Sequence, residues 1–160
     1  MAGPPDALEF RTAISHLPTG VTVVTSTGPA GPAGLTASAV CSLSLDPVLM
    51  LACIDLGSRT LRAVRHSGLV GVNVLAHDQQ ALALRFASKD HETDKFKGVG
   101  WREVDGVPVL DGVVAWLTGE VRELLPGGDH VIGVAGVTSA DAPGGEPLVH
   151  QHGLYRSLDG

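Results

Sequence analysis

The stretch Gly34-Leu35-Thr36-Ala37-Ser38-Ala39-Val40-Cys41-Ser42-Leu43-Ser44-Leu45-Asp46-Pro47 decides how the chain is read. It carries no large polar side chain before Asp46 yet is dense in Ala and small hydroxyl residues, so a flat ligand could lie directly against its backbone. Thr36, Ser38, Ser42 and Ser44 fall on one parity of an extended strand, and Leu35, Ala37, Ala39, Cys41, Leu43 and Leu45 fall on the other. One face is apolar and the other hydroxyl-lined. The plain alternative is a half-buried antiparallel strand whose Ser and Thr residues face water.

Length and composition bound what that strand belongs to. At 160 residues the chain fits one domain, residues 1–160, with a short disordered tail over residues 1–5. A hydrophobic fraction of 44% and a charged fraction of 18% are those of a compact globular protein. Abundant Gly and scarce aromatics suggest a turn-rich β protein with a Val, Leu and Ala core. The net charge of −6, without a Lys/Arg cluster, lacks the electrostatic footprint of a nucleic-acid binder. No apolar run approaches the roughly 18 residues of a membrane span, and the N-terminus has no signal pattern, so the expected location is the cytoplasm. Cys41 and Cys53, both in apolar surroundings, are expected as buried free thiols.

Along the chain, Asp6 and Glu9 form a capping box, and Phe10, Ile14 and Leu17 recur at helical spacing until Pro18. Val21 to Ser26 is a β-branched strand, and the Gly/Pro/Ala run from Gly28 to Gly34 turns it back into the deciding stretch. Val48 to Ile54 is apolar on both faces and reads as a central strand. Ser58 and Thr60 cap a helix whose inner face holds Leu61, Val64 and the stem of Arg65, and Gly68 ends it. Leu69 to Leu75 is a further strand, and Asp78 caps a helix over residues 79–86. Residues 87–100 turn charged and aperiodic, a surface loop able to fold over a site. Strands follow at 107–110, 113–124, 130–140 and 147–158, with Pro126-Gly127-Gly128-Asp129 as a turn. Six or seven strands with two or three short helices argue for a mainly β fold, a small closed or partly closed barrel.

The chain has no G-x-G-x-x-G, G-x-x-x-x-G-K-[ST], G-x-S-x-G or H-E-x-x-H, so a Rossmann-held dinucleotide and the common hydrolase centres are not expected. His150 and His152 share a strand face, but no third ligand stands nearby and no metal site is expected. His91, Glu92 and Asp94 read as a solvated charge run. His130, after Gly127-Gly128-Asp129, would sit at a barrel rim, as an ordinary or a functional histidine.

The order of the pieces resembles a known family. Leu17-Pro18-Thr19-Gly20-Val21-Thr22-Val23-Val24-Thr25, Gly34 to Pro47, Ser58-x-Thr60, Val72-Asn73-Val74-Leu75, Asp94-Lys95-Phe96, Gly106 to Leu110, Gly128-Asp129-His130 and Gly153-Leu154-Tyr155 are similar to the flavin reductase domain family. The resemblance covers nearly the whole chain. It implies an FMN-binding split β-barrel, homodimeric, in which NADH or NADPH reduces FMN or FAD for a separate oxygenase component. No catalytic side chain is then demanded, because the stacked flavin and nicotinamide rings carry the redox chemistry.

By the same resemblance Thr36, Ala37, Ser38 and Ala39 would lie along the flavin ring. Cys53, Ile54 and Asp55, then Ser58, Arg59 and Thr60, would follow the ribityl chain to the phosphate. Phe86, Ala87, Ser88 and Lys89 would continue around the flavin, with His130 and Tyr155 on the nicotinamide side. Many members carry Asn and Ser where this chain has Ser38 and Ala39, so Ala39 supplies no side-chain hydrogen bond. Two other classes remain open on the sequence: a split-barrel flavoprotein of the pyridoxamine-phosphate-oxidase or deazaflavin type, and a non-enzymatic flavin-binding barrel.

Overall fold

The structure, a computed structural model, describes residues 3–158; residues 1 and 2 of the expected tail lie outside it. Helix α1 (Ala7–Ile14) has the expected capping box: Asp6 accepts from the Leu8 and Glu9 amides, and Glu9 accepts from the Asp6 amide. None of its residues is buried, so its apolar stripe faces outward. The strands β1 (Thr19–Gly20), β2 (Thr22–Gly28) and β3 (Gly31–Ala37) follow, then β4 (Val40–Leu45) and β5 (Val48–Asp55). After these come α2 (Arg59–Ser67), β6 (Leu69–Val74), α3 (Gln80–Ala87) and α4 (Glu92–Phe96). The chain closes with β7 (Trp101–Val104), β8 (Val107–Leu110), β9 (Ala115–Gly127), β10 (His130–Asp141), β11 (Val149–Gln151) and β12 (Leu154–Arg156).

Seven strands form one antiparallel sheet in the order β3-β2-β6-β9-β10-β5-β4. Its two edge strands, β3 and β4, are consecutive in the chain, so the sheet must curl until its edges meet at residues 38 and 39. The Cys53 amide donates to the Ala39 carbonyl at 2.8 Å and helps hold that seam. The result is a split barrel. Side-chain alternation along β2 serves both of its faces: Val24 joins Val72, Met50, Ala52, Ile54 and Val131 inside, where Leu61 and Val64 of α2 also pack. Val23 joins an outer layer with Phe86, Phe96, Val109, Leu110 and Trp116.

The outer layer is fixed by buried polar pins. Asn73 is fully buried; its amide donates to the Val23 carbonyl and Thr25 hydroxyl, and its oxygen accepts from the Leu110 amide at 2.8 Å. The Thr25 hydroxyl donates to the Pro108 carbonyl at 2.6 Å. At the β7–β8 turn, the carboxylate of Asp105 accepts from the hydroxyls of Thr118 and Thr138. Those hydroxyls, with Ser139, hold its pKa below the usual carboxylate value.

Several elements differ from the sequence reading. The deciding stretch is two strands, not one, because the chain bends at Ser38–Ala39, and a bulge between Ser42 and Ser44 breaks the parity again. The hydroxyls therefore do not share one face. The hairpin turn is shorter than Gly28 to Gly34, since Gly28 pairs with Gly31. Asp78 does not cap α3; Gln79 is its cap residue. The segment 87–100 contains α4 and leads into β7, and residues 147–158 split into a hairpin at His152–Gly153, both at positive φ. Cys41 and Cys53 are free as expected, but Cys41 is exposed and Cys53 half-buried, because they lie on the sheet's outer face.

Replacing Asn73 with Ala strands the Leu110 amide in the interior and removes two further bonds. We expect a loss of about 2–4 kcal/mol, which for this size lowers Tm by roughly 5–15 °C in calorimetry.

Candidate active site

Strand β3 is paired on one side only. Gly34 lies opposite Thr25, and Thr36 opposite Val23. In an antiparallel ladder the N–H and C=O of alternate residues point to the same side. Those of Gly34 point away from β2: its amide donates to Glu92 at 2.9 Å, and its carbonyl accepts from Lys95 at 3.2 Å. The backbone groups of Thr36, two residues on, point the same way. There a cleft of about 500 Å³ opens.

Four pieces of chain wall this cleft. Leu35 to Ala39 form its floor, where Thr22 holds the Ala37 carbonyl at 2.7 Å. The Thr36 hydroxyl donates to the Ala83 carbonyl at 2.6 Å, so it is committed to α3 and only the Thr36 backbone is offered. Cys53, Asp55 and His130 form the second wall, His130 standing opposite Asp55 in the β5–β10 register. Ile54 alternates to the other face and is buried in the core at 1% exposure, outside the cleft lining. The start of α2 is the third wall, with Gly57, Ser58, Arg59, Thr60 and Arg62. The fourth runs from Phe86 through Ala87, Ser88 and Lys89 to Glu92 and Lys95.

At the third wall Ser58 is a true N-cap, its side chain accepting from the Leu61 amide at 3.0 Å. The Arg59 and Thr60 amides of the same first turn have no partner within the helix, so geometry and dipole make this end favourable to an anion. Arg59 does not point to solvent. Its guanidinium donates to the carbonyls of Asp90 at 2.8 Å and Lys89 at 3.4 Å, fastening the fourth wall to the third. Arg59, Arg62, Lys89 and Lys95 outnumber Asp55 and Glu92 around the cleft. In a chain of net charge −6 that local balance favours an anionic ligand.

His130 begins β10 after the turn at Gly128 and Asp129, and its ring Nδ1 lies 2.7 Å from the Asp129 carboxylate. That hydrogen bond, with the charge of His130, holds the Asp129 carboxyl below its ordinary pKa. Tyr155 is not in the main cleft. It lines a smaller hollow of about 130 Å³ with His150 and Val21, whose remaining wall is Thr36, Ala37 and Ser38. Burial raises the pKa of its hydroxyl. The residues 36–38 thus separate two spaces, with His130 beside one and Tyr155 beside the other.

The sequence pattern does not mark Glu92, Lys95 and Arg62 as cleft residues. The charge run around Glu92 reads as solvated in the sequence, yet the Glu92 side chain is 14% exposed and that of Lys95 is 6%. Their three-residue spacing on a helix, followed by an apolar Phe96, was the available signal.

A curled antiparallel sheet with a cation-rich cleft beside its free edge defines a split-barrel protein suited to a planar, anionic ligand. The family model described as "Flavin reductase like domain" matches residues 14–159, and the chain belongs to that family. It is 36% identical over 156 residues to the reductase subunit HsaB of a flavin-dependent monooxygenase from Rhodococcus jostii, covering 96% of this chain and 79% of that protein. It is 37% identical over 155 residues to an NADH-dependent flavin reductase of a Rhodococcus species, covering 95% and 86%. Among solved structures, the NADH:FAD oxidoreductase SgcE6 of Streptomyces globisporus aligns with a TM-score of 0.89 at 33% identity, covering 98% of this chain and 95% of that one.

Because Arg59 holds residues 89 and 90 through two carbonyls, Arg59→Ala should free that wall. Tryptic cleavage after Lys89, followed by mass spectrometry, is expected to speed up about fivefold, the equivalent of roughly 1 kcal/mol of local opening.

Proposed function

We propose that this protein is a cytoplasmic NADH-dependent flavin reductase that supplies reduced FMN or FAD to a separate monooxygenase component. The observation that carries this reading is the backbone edge at Thr36, open to a cleft whose far end is the cation-rich start of α2. Small residues at 36–39 allow a ring to approach the backbone, and no acid, base or nucleophile is required of the side chains. Backbone amides along this edge would favour the negative charge that grows on a flavin as it is reduced. When bound, the flavin supplies the redox chemistry by accepting a hydride from the reduced nicotinamide. In this assignment Thr36 to Ala39 hold the ring, and the α2 end with Arg62 holds the phosphate. The walls of Cys53 and Asp55 and of Phe86 to Lys89 line the ligand between them. His130 flanks the nicotinamide, while Tyr155 opens onto the hollow on the other side of residues 36–38 and is left out of this assignment. The relatives whose names specify a donor name NADH, which favours NADH over NADPH here.

The test is steady-state loss of NADH and of NADPH with FMN, FAD and riboflavin added in turn. Flavin-dependent NADH oxidation supports the reading; flavin binding without oxidation would return the protein to the class of flavin-binding barrels. Arg62→Ala should weaken FMN binding about fivefold to tenfold through a lost charge-assisted contact, while leaving riboflavin unchanged. Equal losses for both ligands in fluorescence titration would remove the phosphate from this end.

The reading includes a homodimer. Met50, Ala52 and Ile54 face the core, so Leu49, Leu51 and Cys53 alternate onto the outer face, beside Ile132 and Val134 of β10 and exposed Leu43 and Leu125. This apolar sheet face reaches the cleft at Cys53. Leu51→Asp should convert a dimer to monomer in light scattering; a wild-type monomer would refute the assignment.

A further inference from the structure

Glu92 and Lys95 close a ring of contacts around a single backbone residue. The Gly34 amide donates to one Glu92 oxygen at 2.9 Å, Lys95 lies 3.4 Å from the other, and Lys95 returns to the Gly34 carbonyl at 3.2 Å. An ion pair thus occupies both outward groups of Gly34, where a further strand would otherwise pair. Glycine is required there: a Cβ would stand 2.8 Å from the Phe86 ring. The edge-on contact of Phe86 with Phe96, at 5.0 Å, seats the helix that carries the pair.

Apolar residues of similar volume could hold α4 on the sheet, but they would leave the buried Gly34 amide and carbonyl without partners. What the pair supplies is direction. We infer that Glu92 and Lys95 are positioning residues for flavin reduction, acting through Gly34 to set the height and register of the Thr36 backbone at the cleft. The inference rests on the flavin reading of the cleft. Neither residue needs to touch the reacting atoms. A shift of the edge strand by a fraction of an ångström would misplace the ring against the nicotinamide, and misplacements of about 1 Å cost on the order of a hundredfold in rate.

The experiment compares wild type, Lys95→Met and the neutral pair Glu92→Gln/Lys95→Met in the full chain. Lys95→Met leaves a buried carboxylate alone and should lower Tm most, whereas the paired variant, which keeps an acceptor for the Gly34 amide but no donor for its carbonyl, should recover a large part of that loss. Positioning predicts that its kcat/KM nevertheless stays down, about tenfold or more and equally for riboflavin and FMN. Amide exchange at Gly34, measured without ligand, should speed up by a similar factor. A paired variant with wild-type turnover and wild-type exchange overturns the inference, as does turnover that returns together with Tm. If the paired variant does not fold, Glu92→Gln alone, which keeps the shape and an acceptor oxygen, should move turnover and exchange the same way; no change in either overturns it. A wild-type protein that does not oxidise NADH with flavin defeats the flavin reading itself, and ligand-free exchange then shows separately whether the clamp exists.

Discussion

The one-sided pairing of β3 is the constraint on which the site depends. A strand bonded to a neighbour on only one edge presents an N–H and a C=O at every second residue, and those groups must find partners or water. Here Gly34 is satisfied by Glu92 and Lys95, while Thr36 faces the cleft. The break at Ser38–Ala39 follows from the same constraint, because the chain must leave one edge of the curled sheet and start the other. The floor of the cleft is thus the place where the barrel fails to close. Its small residues suit a planar ligand for the reason that makes them poor core residues.

That arrangement explains which parts of the fold were legible in the sequence. Val21 to Ser26 and Leu69 to Leu75 are the near-continuous runs rich in β-branched residues that a sheet buried on two faces demands. The Asp6–Glu9 box and Gly68 mark helix ends by hydrogen bonding and by positive φ. Such signals are local. The signals that failed depend on distant partners. Helix α4 is five residues long with four of them polar, and its buried side depends on Phe86, outside the helix, and on Gly34, some sixty residues earlier. The bend at Ser38–Ala39 is invisible to periodicity, because either parity can be continued through two small residues.

The cleft was legible to a similar extent. Thr36 to Ala39, Cys53, Asp55, Ser58 to Thr60 and Phe86 to Lys89 do line one space, and Ile54 does not, since alternation sends it into the core. Pattern could place the residues but not say which of their atoms are free. Thr36 spends its hydroxyl on α3, Ser58 on the α2 cap and Arg59 on two carbonyls, so three side chains that look like ligand contacts are fasteners of the site's own walls. What remains for a ligand is largely backbone, together with Arg62.

A site built in this way bears on release as well as binding. The Ala39 carbonyl is occupied by the Cys53 amide, and its side chain adds no donor, so the floor offers few directional bonds to a ring. The charges stand at the α2 end and along the fourth wall, where they favour an anionic group without enclosing the floor. Grip concentrated on one end, over a floor of small residues, favours a ligand that enters, reacts and departs over one held permanently. In the proposed role that is the required behaviour, because reduced flavin has to reach a second protein. In that role the fastened walls would keep the geometry of the reaction while the ligand exchanges, leaving rigidity to the protein and turnover to the flavin.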